Sequence, residues 1–136
     1  MTRRESRVCA LKLLFEYSFR PEEGPDEVLA CAAEGREEEI PPFAAELFRT
    51  AAAHLEEIDR SISAAAQNWS LHRIGRVPRA VLRLAACEWR YVGTPKEIAA
   101  NEALELTRMF DTEESVKFVN GVLGKILTAD GVQDGT

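Results

Sequence analysis

A chain of 136 residues, 46% hydrophobic and 29% charged, has the makeup of one globular domain that can bury a sizeable core without disulfide or metal staples. No run approaches the roughly 18 apolar residues that span a bilayer, and Glu5, Lys12 and Glu16 interrupt any secretion-signal core, so a cytoplasmic protein is expected. The net charge of −6 argues at first against nucleic acid, although its segregation along the chain, described below, reopens that question.

The predicted elements are all helical. The first covers about Arg3 to Phe19, with Val8, Leu11, Leu14, Phe15 and Ser18 along one side, and "RPEEGPDE" ends it because its prolines and Gly24 disfavour continuation. A short helix over Asp26–Glu34 stops near Gly35. Pro41 and Pro42 then suit a helix start, and Phe43–Ala66 repeats Ala44, Leu47, Phe48, Ala51, Leu55, Ile58, Ile62 and Ala65 at helical spacing. That length exceeds the average helix, so one break is expected within it. "NWSLHRIGR" is the most turn-like stretch and divides the chain into halves.

A further helix spans Val77–Val92, with Pro78 tolerable in its first turn and Gly93 as its stop. "TPKE" restarts the chain as Thr94 N-cap, Pro95 at N1 and Glu97 closing a capping box; that helix ends near Phe110. "DTEE" supplies Asp111 and Glu114 as a second cap-and-return pair, and the tail is expected to be flexible. These elements predict an all-α bundle of about six or seven helices in a single domain over residues 1–128, divided near residue 70, with 129–136 as the tail.

Cys9, Cys31 and Cys87 form no C-x-x-C, and His54 and His72 lack partners at ligand spacing, so reduced, largely buried thiols and no metal site are expected. Glu88 and Glu102 fall on otherwise apolar helix faces. With no nucleophile, metal cluster or phosphate loop beside them, they read as acceptors for an arginine or for a helix start, not as catalytic acids. No catalytic residue, cofactor or enzymatic activity is assigned.

Charge is unevenly distributed. Residues 1–20 carry five basic and two acidic residues, 21–70 three and twelve, 71–108 seven and four, and 109–136 two and five. Arg76, Arg79, Arg83 and Arg90 lie within about 60° on a helical wheel, a stripe suited to phosphates, to an acidic protein surface, or to pairing with acids of neighbouring helices. Arg3, Arg4 and Arg7 prolong the Leu11–Leu14 stripe toward the N-terminus as a cationic one. In "SVKFVNGVLGKIL", Val116, Val119, Leu123 and Ile126 mark the buried face. Phe118 falls roughly opposite it, between Lys117 and Lys125, with Asn120 nearby. A ring between cations is the combination that stacks bases and holds the backbone of single-stranded nucleic acid; packing against another helix or subunit is the alternative.

"NWSLHRIGRVPRAVLRLAACEWRY" and "TPKEIAANEALELTRMFDTEESVKFVNGVLGKI" resemble the C-terminal half of the transcription antitermination factor NusB family. "RRESRVCALKLLFEYSF" resembles that family's arginine-rich first helix, and "NEALEL" and "KFVNGVL" are the most specific segments. The resemblance implies an all-helical fold of two packed subdomains without enzymatic activity. It implies a role in binding boxA-type single-stranded RNA together with NusE, a small-subunit ribosomal protein. That assembly supports the RNA polymerase elongation complex, with other Nus factors, in ribosomal RNA transcription.

On this resemblance Arg3, Arg4, Arg7, Glu114, Ser115, Lys117, Phe118 and Asn120 are the RNA-binding positions. Phe15, Arg76 and Arg79 are assigned to the protein partner, and a homodimer is a further possibility. Glu5 interrupts the family's basic run, Pro78 replaces a position that is often acidic and turned toward NusE, and Gly124 replaces a frequent aspartate. The competing reading is a helical interaction bundle without RNA binding, using the arginine stripe and Phe118 as a dimer or partner interface.

Overall fold

Helix α1 (Arg3–Ser18) begins at Thr2, whose hydroxyl accepts from the Glu5 N–H at 3.1 Å while the Glu5 carboxylate accepts from the Thr2 N–H at 2.8 Å. This reciprocal cap satisfies two of the free N–H groups of the first turn, and it explains why an acid sits among the arginines there. The structure, a computed structural model, describes residues 2–20, 22–35, 39–67 and 71–127, with His72 described by its backbone alone. The predicted tail and residues 68–70 of the turn-like stretch therefore lie outside the described residues. Among the described residues no helix is long and apolar enough to cross a membrane.

Helix α2 (Pro25–Glu34) has proline in its first turn and buries only Val28 and Leu29. The long periodic stretch breaks once, at His54, into α3 (Pro42–Ala53) and α4 (Leu55–Ala66). The stripe survives the break: Ala44, Leu47, Phe48 and Ala51 on α3 and Ile58, Ile62 and Ala65 on α4 are buried, while Leu55, next to the break, is only half-buried. Helix α5 (Arg76–Cys87) is the axis of the molecule, packing against α1, α3, α4, α6 and α7, and every residue from Ala80 to Trp89 is buried. A residue run buried on all sides is what a helix surrounded by other helices requires.

After Cys87 the backbone widens into a π-helical turn, Glu88–Val92, and closes on Gly93 at φ +89°, a conformation that glycine adopts without steric cost. Two predicted caps shift here. Helix α6 (Lys96–Phe110) starts with Pro95 at the N-cap, and the Thr94 hydroxyl is directed away from the helix toward Glu88, at 2.9 Å. Helix α7 (Glu113–Ile126) is capped by Thr112, whose hydroxyl accepts from the Ser115 N–H, while the Asp111 carboxylate accepts from the Thr112 N–H and the Ser115 hydroxyl.

The thiols only partly follow expectation. Cys9 and Cys87 are buried, with burial pushing the Cys87 thiol up to about 12, but Cys31 is exposed. It sits on α2, the helix that contributes least to the core.

Candidate nucleic-acid interface

The basic start of α1 is built on two carboxylates. Arg7 is buried, and its guanidinium donates from Nε and Nη2 to Glu88 at 2.7 and 2.9 Å; the two side chains are only 9% and 2% exposed. One turn earlier, Arg4 donates from Nε and Nη2 to Glu102 at 3.1 and 2.8 Å, and Arg7 also approaches Glu102 at 3.7 Å. Forked pairs of this kind fix the guanidinium plane as well as its charge. Both sequence-flagged acids thus hold arginines of α1, clamping that helix to the end of α5 and the middle of α6. The consequence for the site is a division of labour. Arg3 and Arg4 are exposed, Arg3 lying 3.9 Å above the Phe43 ring, whereas Arg7 is enclosed beneath them.

Glu102 also links the site to pH. Hydrogen bonding from Arg4, with the charges of Arg4 and Arg7, holds its carboxyl below the usual carboxylate range against the opposing push of burial. A carboxyl depressed in the folded state contributes stability that is present above its unfolded value and is lost as pH falls through the folded one. Urea midpoints measured across about pH 5 to 2 should therefore fall less steeply for Glu102→Gln than for the natural protein.

Helix α7 presents the second cluster. Lys117, Asn120 and Glu114 are exposed, whereas Ser115 is half-buried and committed to the helix cap. Phe118 is not opposite the buried face but at its edge, half-buried and packed against the core. Helices α1 and α7 are both anchored to α6, the first through Arg4–Glu102 and the second by direct packing.

The arginine stripe separates in three dimensions. Arg83 is buried and forked onto Asp59 of α4 at 2.8 and 2.9 Å, so it locks two helices together. Arg79 is half-buried and donates to the Ile74 carbonyl at 2.8 Å. Arg76 is exposed and lies 4.1 Å above the Phe19 ring, which itself meets Phe15 edge-on at 5.2 Å. Beside this stack, a groove of about 340 Å³ runs between Leu11, Phe15, Val77, Ala80 and Phe110, with the exposed ring of Phe110 at its rim. Pro78 is buried in the first turn of α5. Among the described residues no group of histidine, cysteine or carboxylate side chains is arranged to hold a metal ion.

The NusB family profile matches residues 4–128, which include every element of both clusters from Arg4 onward. The chain belongs to the NusB family. It is 41% identical over 130 residues to the transcription antitermination protein NusB of Desulforamulus reducens, covering 93% of this chain and 90% of that one. To the protein of the same name from an Exiguobacterium species it is 40% identical, covering 96% and 100%. Its backbone superposes on T. maritima NusB with a TM-score of 0.83 at 34% identity, covering 95% and 92% of the two chains. It also superposes on a crystal structure of the antitermination factors NusB and NusE in complex with double-stranded RNA, with a TM-score of 0.80 at 30% identity, covering 95% and 99%. These relatives are named as transcription antitermination proteins.

Within this NusB fold, three features escaped the sequence reading. Phe43 beneath Arg3 gives no signal in a single sequence, because the two residues meet only through the packing of α1 on α3. Phe19 and Phe110, the aromatic residues around the groove, lie at predicted helix ends. Exposed apolar residues at element boundaries give no periodic signal.

Proposed function

We propose that this chain is an RNA-binding adaptor of transcription antitermination and elongation. It holds a boxA-type single-stranded RNA together with NusE, acts in the cytoplasm with the RNA polymerase elongation complex, and supports ribosomal RNA transcription. The observation that carries this reading is that α6 anchors both the helix that exposes Arg3 and Arg4 and the helix that exposes Lys117 and Asn120 beside a half-buried Phe118, on an otherwise acidic molecule. Arg3 and Arg4 meet phosphates directly, Arg7 fixes the helix beneath them, and Phe118 offers a ring edge and face to a base. Glu114 and Ser115 set the start of α7, which carries Lys117, Phe118 and Asn120. The groove beside Phe15, with Arg76 stacked on Phe19 and Arg79 tied back to Ile74, is the surface assigned to the protein partner.

Filter binding with a U/A-rich single strand of about ten nucleotides should give an affinity that falls steeply as salt rises, because each neutralised phosphate releases counterions. Purified NusE should tighten that binding, and the same strand annealed to its complement should compete less well. The interaction-bundle reading has lost one member of its arginine stripe, since Arg83 is buried on Asp59. An oligomer whose size-exclusion profile ignores RNA at every salt concentration would restore that reading and the homodimer with it.

A further inference from the structure

We propose a second RNA subsite in the groove between the end of α5 and the start of α6, one that takes phosphates of a strand extending beyond the α1–α7 surface; the inference rests on the RNA-binding reading above. The groove encloses about 730 Å³, within the range of cavities that hold small molecules. Its charged lining residues are Arg90, Lys96 and Glu97. Lys96 is exposed, and Arg90 is half-buried with its guanidinium 5.9 Å from the centroid of the Tyr91 ring.

Tyr91, beside that cation, is held in place on two sides. His54 stacks on it at 3.9 Å and 10°, and its hydroxyl donates to Glu57 at 3.1 Å. The start of the 15-residue α6, with Pro95 at its N-cap, carries no side-chain cap, so the positive end of its dipole adds to Arg90 and Lys96, offset in part by Glu97 of the first turn.

The groove is also joined to the main surface. Glu88 accepts from Arg7 of α1 through both oxygens, and Thr94, a residue of the groove wall, donates to one of the same oxygens. One carboxylate therefore ties the basic start of α1 to the wall of the groove. Phosphate is the ligand favoured here, since Arg90 and Lys96 outnumber Glu97 along a wall that Tyr91, Val92 and Pro95 also line.

The test compares two U/A-rich single strands, one of about 8 and one of about 20 nucleotides, on the intact chain and on the Arg90→Ala/Lys96→Ala double variant. With the longer strand, the slope of log affinity against log salt should become shallower by about 1.4, two phosphate contacts at about 0.7 each for a single strand. The shorter strand should bind both proteins alike. Lys96→Ala alone, an exposed substitution, should give about half the change and guards against a folding defect in the double variant. Unchanged binding of the longer strand, or equal losses on both strands, overturns the subsite while leaving the RNA-binding reading intact. Failure of the natural protein to bind either strand overturns both.

Discussion

Glu88→Ala is expected to lower the free energy of unfolding by about 3–5 kcal/mol, the usual result of removing one partner from a buried ion pair. The Arg7 side chain is 9% exposed, and without Glu88 its charge has neither water nor its forked acceptor, with Glu102 remaining only at 3.7 Å. The Thr94 hydroxyl loses its acceptor in the same step. Because small domains are stable by only about 5–15 kcal/mol, urea titration of this variant should show a midpoint close to unfolding. Replacing both partners, as Arg7→Leu/Glu88→Leu, should recover much of the loss, since two apolar groups remove the desolvation cost along with the attraction. A double variant no better than Glu88→Ala would mean that the packing around the pair, and not its charge balance, sets the penalty. The same logic bears on function. Weakened RNA binding by Arg7→Ala is expected to accompany a lower unfolding midpoint, whereas Arg4→Ala, at an exposed pair, should weaken binding with little change in stability.

The sequence made the fold legible wherever local pattern decides structure, and less so where the chain's own side chains had competing uses. The core stripe of α3 and α4 was readable because spacing alone determines which residues share a face; length implied a break within it, but not its place at His54. Thr94 looked like an N-cap by every local criterion; the structure uses its hydroxyl on Glu88 because a buried carboxylate with several acceptor sites is a stronger attractor than a solvated helix end. The pairing of Glu88 and Glu102 with arginines was foreseeable from the cost of burying a carboxylate, yet their partners lie 81 and 98 residues away, beyond any periodicity. For the site, Lys117 is exposed as its place away from the apolar face implied; Arg3 and Arg4, on the continuation of the Leu11–Leu14 stripe, are exposed at the helix end, while Arg7 on the same line and Arg83 of the arginine stripe are buried against acids of other elements. A helical wheel registers a residue's direction, not what it meets there.

Phe118→Ala should weaken binding of a short U/A-rich strand by about 1–3 kcal/mol, the range for losing one base stacked on an aromatic ring. The position of the ring decides how this must be measured. Val122, left out of the predicted buried face, lies about 40° from Phe118 on the wheel, so the true apolar face is wider and Phe118 forms its edge. Half of the ring is therefore packing, and the substitution also carries a stability cost, smaller than the about 3–5 kcal/mol of a fully buried phenylalanine. Affinities should be taken well below the melting temperature, beside Phe118→Leu, which retains apolar contact with the core but has no π-face. If Phe118→Leu restores the melting temperature and still binds RNA as weakly as Phe118→Ala, stacking is the lost interaction. If it restores both, the ring contributes to RNA binding only by holding α7 in place. In that case Lys117→Ala, at an exposed site, should still make the salt dependence shallower by about 0.7.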